Sequence, residues 1–238
     1  AIINPSNQTN KALTQLFDDI KNPDTRLSSI QINNALTNVN PDYKLMVKAA
    51  LNEVNTLPAS SGMAGVMTVI DDREGVWQSP TNTSMVAVAE IPFNLTDEQQ
   101  ENLNVDTMSG KSINALRLFN GVGVMIWGAR TLDGNSNDWK YLCVRRTMTF
   151  IEQSLKVAAK AYVFATNDAN TWVSVKSMME SFLTTIWKQG GLQGSKASDA
   201  FEVSVGLGST MTAEDVLNGI MHVSVKVALI HPAEFFII

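Results

Sequence analysis

Between Val122 and Phe164 the spacing of apolar residues changes period once, and that change sets the expected architecture. Val122, Val124 and Ile126 alternate along the chain toward Trp127, the two-residue period of a strand. Asp133 to Asp138, with Gly134 inside it, reads as a polar turn. Beyond it Met148, Ile151, Leu155, Ala158 and Tyr162 recur at three- and four-residue spacing, which predicts a helix with one apolar face that must lie on something. Arg145, Glu152, Lys156 and Lys160 fall on another face. A second helix, capped by Asn170 or Thr171 and ended by Gly190-Gly191, places Trp172, Val175, Met179, Phe182, Leu183 and Ile186 on one broad apolar side. Two long helices joined by a short loop are expected to pack antiparallel.

The flanking segments add smaller elements. Asn, Thr and Ser dominate Ala1 to Asn40 around a helical stretch at Lys11 to Ile20. From Pro41 a helix is expected with Asp42 as its cap and Leu45, Met46, Ala49, Ala50 and Val54 as its stripe. Met63 to Ile70 is a short apolar run between Gly62 and Asp71-Asp72, the pattern of a buried strand. Met85 to Ile91 alternates loosely as a further strand, and Thr96 with Gln99 forms a capping box opening a short helix to Leu103. Phe201 to Val205 alternates, Thr212 caps a short helix, and Met221 to Ile230 alternates over ten positions with Val223, Val225 and Val227 on one face and His222, Ser224 and Lys226 on the other. The sum predicts an α/β (α+β) fold. One mixed sheet, from strands near 63–70, 112–118, 122–127, 201–205 and 220–230, is flanked by two long antiparallel helices near 146–165 and 171–188. Trp127, Leu155, Phe182 and Val225 are the expected core.

Composition narrows function mainly by exclusion. With 238 residues, 45% hydrophobic and 17% charged, the chain is long enough to bury a sizeable core as one large domain or two small ones. A formal charge of -5 argues against a general nucleic-acid binder, although a local basic stripe is compatible with it. Cys143 is the single cysteine, so no internal disulfide forms. No apolar run is long enough to span a bilayer and no basic-then-apolar leader opens the chain, so no membrane anchoring is expected. The start at Ala1-Ile2-Ile3 and the stop at Phe235-Phe236-Ile237-Ile238 read as cuts in a longer chain.

Chemical motifs are equally sparse. His222 and His231 are the only histidines and have no identifiable partners for a triad or a metal site. Asp133, Asn135 and Asn137 resemble the first ligands of a calcium loop, but Asp138 stands where that loop needs Gly and Val144 where it needs Glu, so a turn is the better reading. Gly121-Val122-Gly123 and Gly206-Leu207-Gly208 lack the third glycine of a phosphate loop, and Asp71-Asp72 reads as a solvated turn. Asn-x-Ser/Thr triplets at Asn7, Asn82 and Asn94 receive no role. No catalytic residue, metal ligand or cofactor site is expected.

Five motifs in order carry a resemblance. They are Pro58-Ala59-Ser60-Ser61-Gly62-Met63-Ala64-Gly65, Gly75-Val76-Trp77-Gln78-Ser79-Pro80-Thr81-Asn82, Trp127-Gly128-Ala129-Arg130-Thr131-Leu132, Val144-Arg145-Arg146 and Pro232-Ala233-Glu234-Phe235. From about Pro41 onward the chain resembles contractile tail sheath proteins of phages and of phage-like contractile injection systems. Ser79 and Thr81 stand where that family commonly has Ala, and His231 where it often has Arg. The resemblance implies a structural subunit that polymerises helically around an inner tube and contracts to drive the tube through a target envelope. Its implied partners are other copies of itself, the inner tube protein, baseplate proteins and terminal cap proteins, with no nucleic acid. The implied location is a virion or phage-tail-like particle assembled in the bacterial cytoplasm. Residues 1–40 then form the edge of a variable outer domain, and residues 41–238 the core with its terminal arms mostly absent.

Two site expectations follow. The stripe Arg145, Lys156 and Lys160 is a candidate tube-facing surface, its rival being a solvated face with a Glu152–Lys156 pair. Phe235, Phe236, Ile237 and Ile238 are candidate inter-subunit strand residues, because an apolar β-favouring run after Pro232 suits a strand donated to a neighbour; the rival is an ordinary final core strand. At the level of function the rival class is a non-contractile assembly protein, a tube, baseplate or capsid subunit, and an enzyme lacks a visible nucleophile, base and orienter.

Overall fold

Several helices in this chain start at a short polar side chain that reaches back to the backbone. The structure, a computed structural model, describes residues 18, 21, 28–86, 88–106 and 108–234, and the chain divides into two units, Ala1–Ser60 and Ser61–Ile238. In the first unit α1 (Ser29–Val39) opens with a capping box, Ser28 Oγ accepting from Gln31 N at 3.3 Å while Gln31 Oε1 accepts from Ser28 N. Asn40 caps α2 (Pro41–Asn55), its Oδ1 accepting from Asp42 N and Tyr43 N. Asp42 is therefore not the cap: Pro41, with φ preset for a helix, takes the first helical position, and the cap is Asn40, two residues before Asp42. The expected stripe Leu45, Met46, Ala49, Ala50 and Val54 lies exposed, and no residue of α2 is buried.

The second unit departs from expectation at its first element. Ala59–Arg73 is a helix, α3, where Met63 to Ile70 was expected to be a strand. The run had carried the helical signal: Met63, Val66, Met67 and Ile70 stand at i, i+3, i+4 and i+7, and these are the positions turned inward, with Ile70 fully buried. The residues between them, Ala64, Thr68 and Val69, are exposed, so run length misled where period would not. Gly62 makes room for Met85, since a Cβ there would come within 2.4 Å of Met85 Cε.

Thr96 opens α4 (Asp97–Asn104) through the expected capping box with Gln99. β1 (Ala115–Phe119) and β2 (Gly123–Trp127) form an antiparallel hairpin in which Arg117 pairs with Met125. The far edge of β2 is lined by residues 82–85, with Asn82 N donating to Ile126 O and Met85 N to Val124 O. That contact replaces the strand expected over Met85 to Ile91. With both edges occupied, β2 buries Val124, Met125 and Ile126 in succession instead of alternating. Trp127 is a second correction: it is 38% exposed, because the pleat turns it away from Ile126 and against the ring of Phe119 at 4.7 Å.

After β2 the chain folds back on itself. Thr131 N donates to Lys140 O and Leu142 N to Ala129 O, which closes the loop 132–139. That loop packs on another: Gly134 N donates to Gly110 O at 3.0 Å, and a Cβ on Gly134 would lie 2.6 Å from both Gly110 O and Ser112 Oγ. α5 (Leu142–Ala159) follows, extended by a 3-10 turn at Lys160–Tyr162, and then α6 (Ala169–Lys188). Asp168 caps α6, accepting from Thr171 N at 2.9 Å; Asn170 and Thr171, the expected caps, fall inside the helix. Phe150, in the first half of α5, meets Phe182, in the second half of α6, at 6.2 Å between ring centres, the arrangement of an antiparallel pair.

Short helices α7 (Ala197–Ala200) and α8 (Ala213–Leu217) flank β3 (Phe201–Val205), which pairs antiparallel with β4 (Val223–Val227). The main core joins Ile151 and Leu155 of α5, Val175, Met179, Leu183 and Ile186 of α6, and Val203 of β3. Phe182 and Val225 pack against it half-buried, and Leu155 lies within it. Helices together with strand pairs from separate segments give an α+β fold, but the one mixed sheet is replaced, among the described residues, by two separate antiparallel pairs. With 63–70 helical, no strand among the described residues joins the hairpin to β3 and β4.

Candidate functional site

Charged residues of α5 divide by what they meet. Arg145, Glu152 and Lys156 are exposed on one face, and Lys160 continues that face in the 3-10 turn. Arg145 lies over the Trp139 ring at 5.2 Å, which holds its guanidinium at the surface by cation–π attraction. The i,i+4 ion pair of the helix pair is Lys176–Glu180 on α6 at 3.8 Å, and Glu152 and Lys156 form none. Arg145 also rims a shallow groove of about 340 Å³ floored by Val76 and Phe150. One residue on, Arg146 turns inward and bonds Asp71 of α3 through both nitrogens, at 2.9 and 2.5 Å. Asp71 is therefore a half-buried partner joining two helices and not a solvated turn residue.

A second charged cluster lies where the described chain ends. Arg130 donates from Nε to Glu234 Oε1 at 2.9 Å and from Nη2 to Oε2 at 2.6 Å, across 104 positions of sequence. Tyr141 Oη donates to the same carboxylate at 3.2 Å, and Arg130 Nη1 to Asn104 O at 3.4 Å. Asn114 clasps the Arg130 backbone from both sides, accepting from its N–H at 2.8 Å and donating to its carbonyl at 2.9 Å. The Arg130 side chain is only 10% exposed. Its hydrogen bond to Glu234 raises the guanidinium pKa further, while burial, followed by the Glu234 charge, raises the Tyr141 phenol. Phe235, Phe236, Ile237 and Ile238, the candidate inter-subunit strand, lie outside the described residues.

Neither cluster has the parts of a catalytic centre. Cys143 is buried and its thiol is pushed up by that burial, the opposite of what a nucleophile needs. His222 and His231 are exposed, and among the described residues no group of three acids, histidines or cysteines is placed to hold a metal ion. No helix among them is long and apolar enough to cross a membrane. What the surface offers is exposed cations on one helix face and a tightly bonded root for the C-terminal run.

The sequence profile of the phage tail sheath C-terminal domain matches residues 135–238, the stretch holding α5, α6, β3, β4 and Glu234. Residues 135–238 belong to that family. The chain is also similar to solved structures. A chain of the sheath complex of an extracellular contractile injection system, PVC, in its contracted state superposes with a TM-score of 0.73 at 40% identity, covering 76% of this chain and 50% of that one. A chain of the helical sheath of the anti-feeding prophage in its contracted state gives 0.71 at 38% identity, with 76% and 50% covered. The tail sheath protein of Vibrio phage KVP40 is 22% identical over 174 residues, 73% of this chain and 26% of that protein. That of Burkholderia phage BcepMu is 28% identical over 153 residues, 62% of this chain and 32% of that protein. The chain thus spans half or less of the length of the proteins it matches.

Sequence reasoning had placed Arg145, Lys156 and Lys160 together on one exposed face, and the structure puts them there. It missed Arg130, Tyr141 and Glu234 as a unit. Arg130 and Glu234 had been seen only as members of two separate motifs, and nothing in a single sequence ties positions 104 apart.

Proposed function

We propose that this chain is the body of a contractile sheath subunit, which polymerises helically around an inner tube and shortens to drive that tube through a target envelope. The observation that carries the reading is the superposition on a sheath chain in the contracted state at 40% identity over 76% of this chain. A helical array needs surfaces that meet other copies and no reacting centre, and the role proposed is structural and non-enzymatic. Its partners are other copies of the chain, the tube protein, the baseplate and a terminal cap, in a particle assembled in the bacterial cytoplasm. Residues 1–40 belong to the edge of an outer domain and residues 41–238 to the sheath core.

Within that reading Arg145, Lys156 and Lys160 face the tube. A sheath must hold its tube when extended and release it on contraction, and exposed charge pairs worth about 0 to 1 kcal/mol each provide many weak, reversible contacts. All three cations are exposed, which leaves them available to such a partner. The run Phe235 to Ile238 serves as a strand added to a neighbouring copy.

Electron microscopy of the full-length protein tests the function. Hollow cylinders in a long, narrow and a short, wide form are expected; cylinders of one fixed form refute contraction. In the double variant Lys156→Glu/Lys160→Glu sheaths should fail to assemble on tubes, and normal assembly removes the stripe from the tube interface. Removing every residue after Glu234 should leave a soluble subunit that forms no cylinders.

A further inference from the structure

Three positions place Asn or Asp directly before Gly: Asn120-Gly121, Asp133-Gly134 and Asn218-Gly219. Such pairs share a reaction. The backbone nitrogen of the glycine can attack the side-chain carbonyl carbon of the residue before it, because no Cβ shields that nitrogen and the glycine turns freely. The attack needs a backbone N–H that can lose its proton, so a hydrogen bond from that N–H protects the pair.

The fold separates the three. Gly134 is buried and its N–H donates to Gly110 O at 3.0 Å. Gly219 N–H donates to Val216 O at 3.1 Å, in the turn that ends α8. Gly121 is exposed, and its N–H donates to no acceptor among the described residues. A Cβ built on Gly121 would meet nothing within 4 Å, so the space around its nitrogen is open. The Asn120 side chain is exposed and makes no hydrogen bond among the described residues. The turn that holds the pair is closed by Val122 N donating to Phe119 O at 3.1 Å. Rotating Asn120 into the attacking geometry therefore disturbs one turn bond and leaves the buried Val124, Met125 and Ile126 of β2 in place.

We propose that Asn120 is a self-modification site: in the folded subunit it loses its side-chain amide to attack by Gly121, and water completes the reaction. A base in the solvent takes the Gly121 N–H proton, the nitrogen bonds to Asn120 Cγ, and the Cγ–Nδ2 bond breaks as Nδ2 takes up a proton and leaves as ammonia. One water molecule then opens the five-membered succinimide at either carbonyl, giving aspartate or isoaspartate. No atom is oxidised or reduced. Either product makes the formal charge one unit more negative than -5. Isoaspartate also adds one carbon to the main chain of the turn whose ends set the Phe119–Gly123 register. Once ammonia has left, water alone does not restore the amide, so each copy carries a record of its age.

The test incubates full-length protein in mildly alkaline buffer, folded and in urea, and follows its peptides by mass spectrometry. In folded protein the one-dalton gain at Asn120 should appear at least about fivefold faster than at Asn218, the factor set by a backbone hydrogen bond that must first open. The two pairs are matched locally, since a β-branched residue, Val122 or Ile220, follows each glycine. In urea, where Gly219 loses its bond to Val216, the two rates should therefore come within about twofold of each other. Asn120→Gln should abolish the earliest acidic species on ion exchange, because the longer side chain closes only a six-membered ring. Asn120 unchanged in folded protein, or Asn218 converting as fast, overturns the proposal. A preference for Asn120 that persists undiminished in urea also overturns it, because local sequence and not the fold then selects the site. Early acidic species that survive in Asn120→Gln place the new charge elsewhere and overturn it as well.

Discussion

Phe164→Gly should make the subunit more stable, although it deletes a large apolar side chain. Tyr162 to Ala165 is a type II turn: Val163 has φ -64 and ψ 129, Phe164 has φ 67, and Ala165 N donates to Tyr162 O at 3.1 Å. The third position of such a turn requires positive φ and ordinarily takes Gly. An L-residue held there costs about 1 to 2 kcal/mol, and glycine's greater freedom in the unfolded chain takes back about 0.5 to 1 kcal/mol. The ring contributes nothing in return, since Phe164 is 102% exposed in the isolated subunit. The balance favours Gly by about 0.5 kcal/mol, or about 1 to 2 °C in the melting midpoint of a domain this size. Phe164→Ala keeps the strain and removes only the ring, so it should be neutral. Thermal and urea unfolding of monomeric protein, followed by circular dichroism, reads both. A loss of about 1 kcal/mol or more in both variants would show that the ring packs within the subunit and would refute the reasoning. With the expected signs, Phe164 is a residue whose cost the lone subunit never recovers.

Leu183→Ala, at a position with no exposure among Ile151, Met179 and Val203, should cost about 2 to 5 kcal/mol, seen as a lower urea midpoint at unchanged slope, whereas Val157→Ala on the exposed side of α5 should stay within about 0.5 kcal/mol. Asp168 and Asp215 are held below the usual carboxylate range, Asp168 first by the Thr171 N–H and Asp215 first by the Thr212 N–H. A depressed folded pKa means that their contribution is full above the unfolded value of about 3.9 and is lost as pH falls through the folded one. Wild type should therefore lose stability faster than Asp168→Asn/Asp215→Asn below about pH 4, and parallel curves would remove the caps from acid unfolding. Cys143, buried with a raised thiol pKa, should react with iodoacetamide only as fast as the domain opens, and fast labelling of folded protein would place it at the surface.

Local chemistry was readable before any coordinates. Thr96 with Gln99, and Thr212 with Asp215, sit three residues apart and cap their helices as their spacing implies. The period of α5 and α6 selected Ile151, Leu155, Met179 and Leu183, and these form the core. Failures occurred where a distant partner decides. Trp127 was assigned to the core as the close of an alternating strand, but its exposure depends on which face of β2 its neighbours cover. Asp71 looked solvated until α3 brought it to Arg146, and α3 itself was hidden because four inward residues happened to sit within one apolar run. Of the candidate sites, the cationic stripe was legible because a single helix carries it. The Arg130–Glu234 fork joins segments that meet only after the whole domain has folded.

Gly110 and Gly134 sit on two surface loops, the places where proteins ordinarily accept insertions and substitutions with little effect. Here each glycine leaves open the space that the other loop occupies: a methyl group on Gly134 would collide with the Gly110 carbonyl, and one on Gly110 would lie 2.4 Å from Asn135 Nδ2. In its tolerance of change this corner of the surface behaves as interior. Peptide tags, reporters or lengthened loops meant to decorate the outside of an assembled particle would fail at 110 and 134, and should be placed in exposed turns that no second loop leans upon.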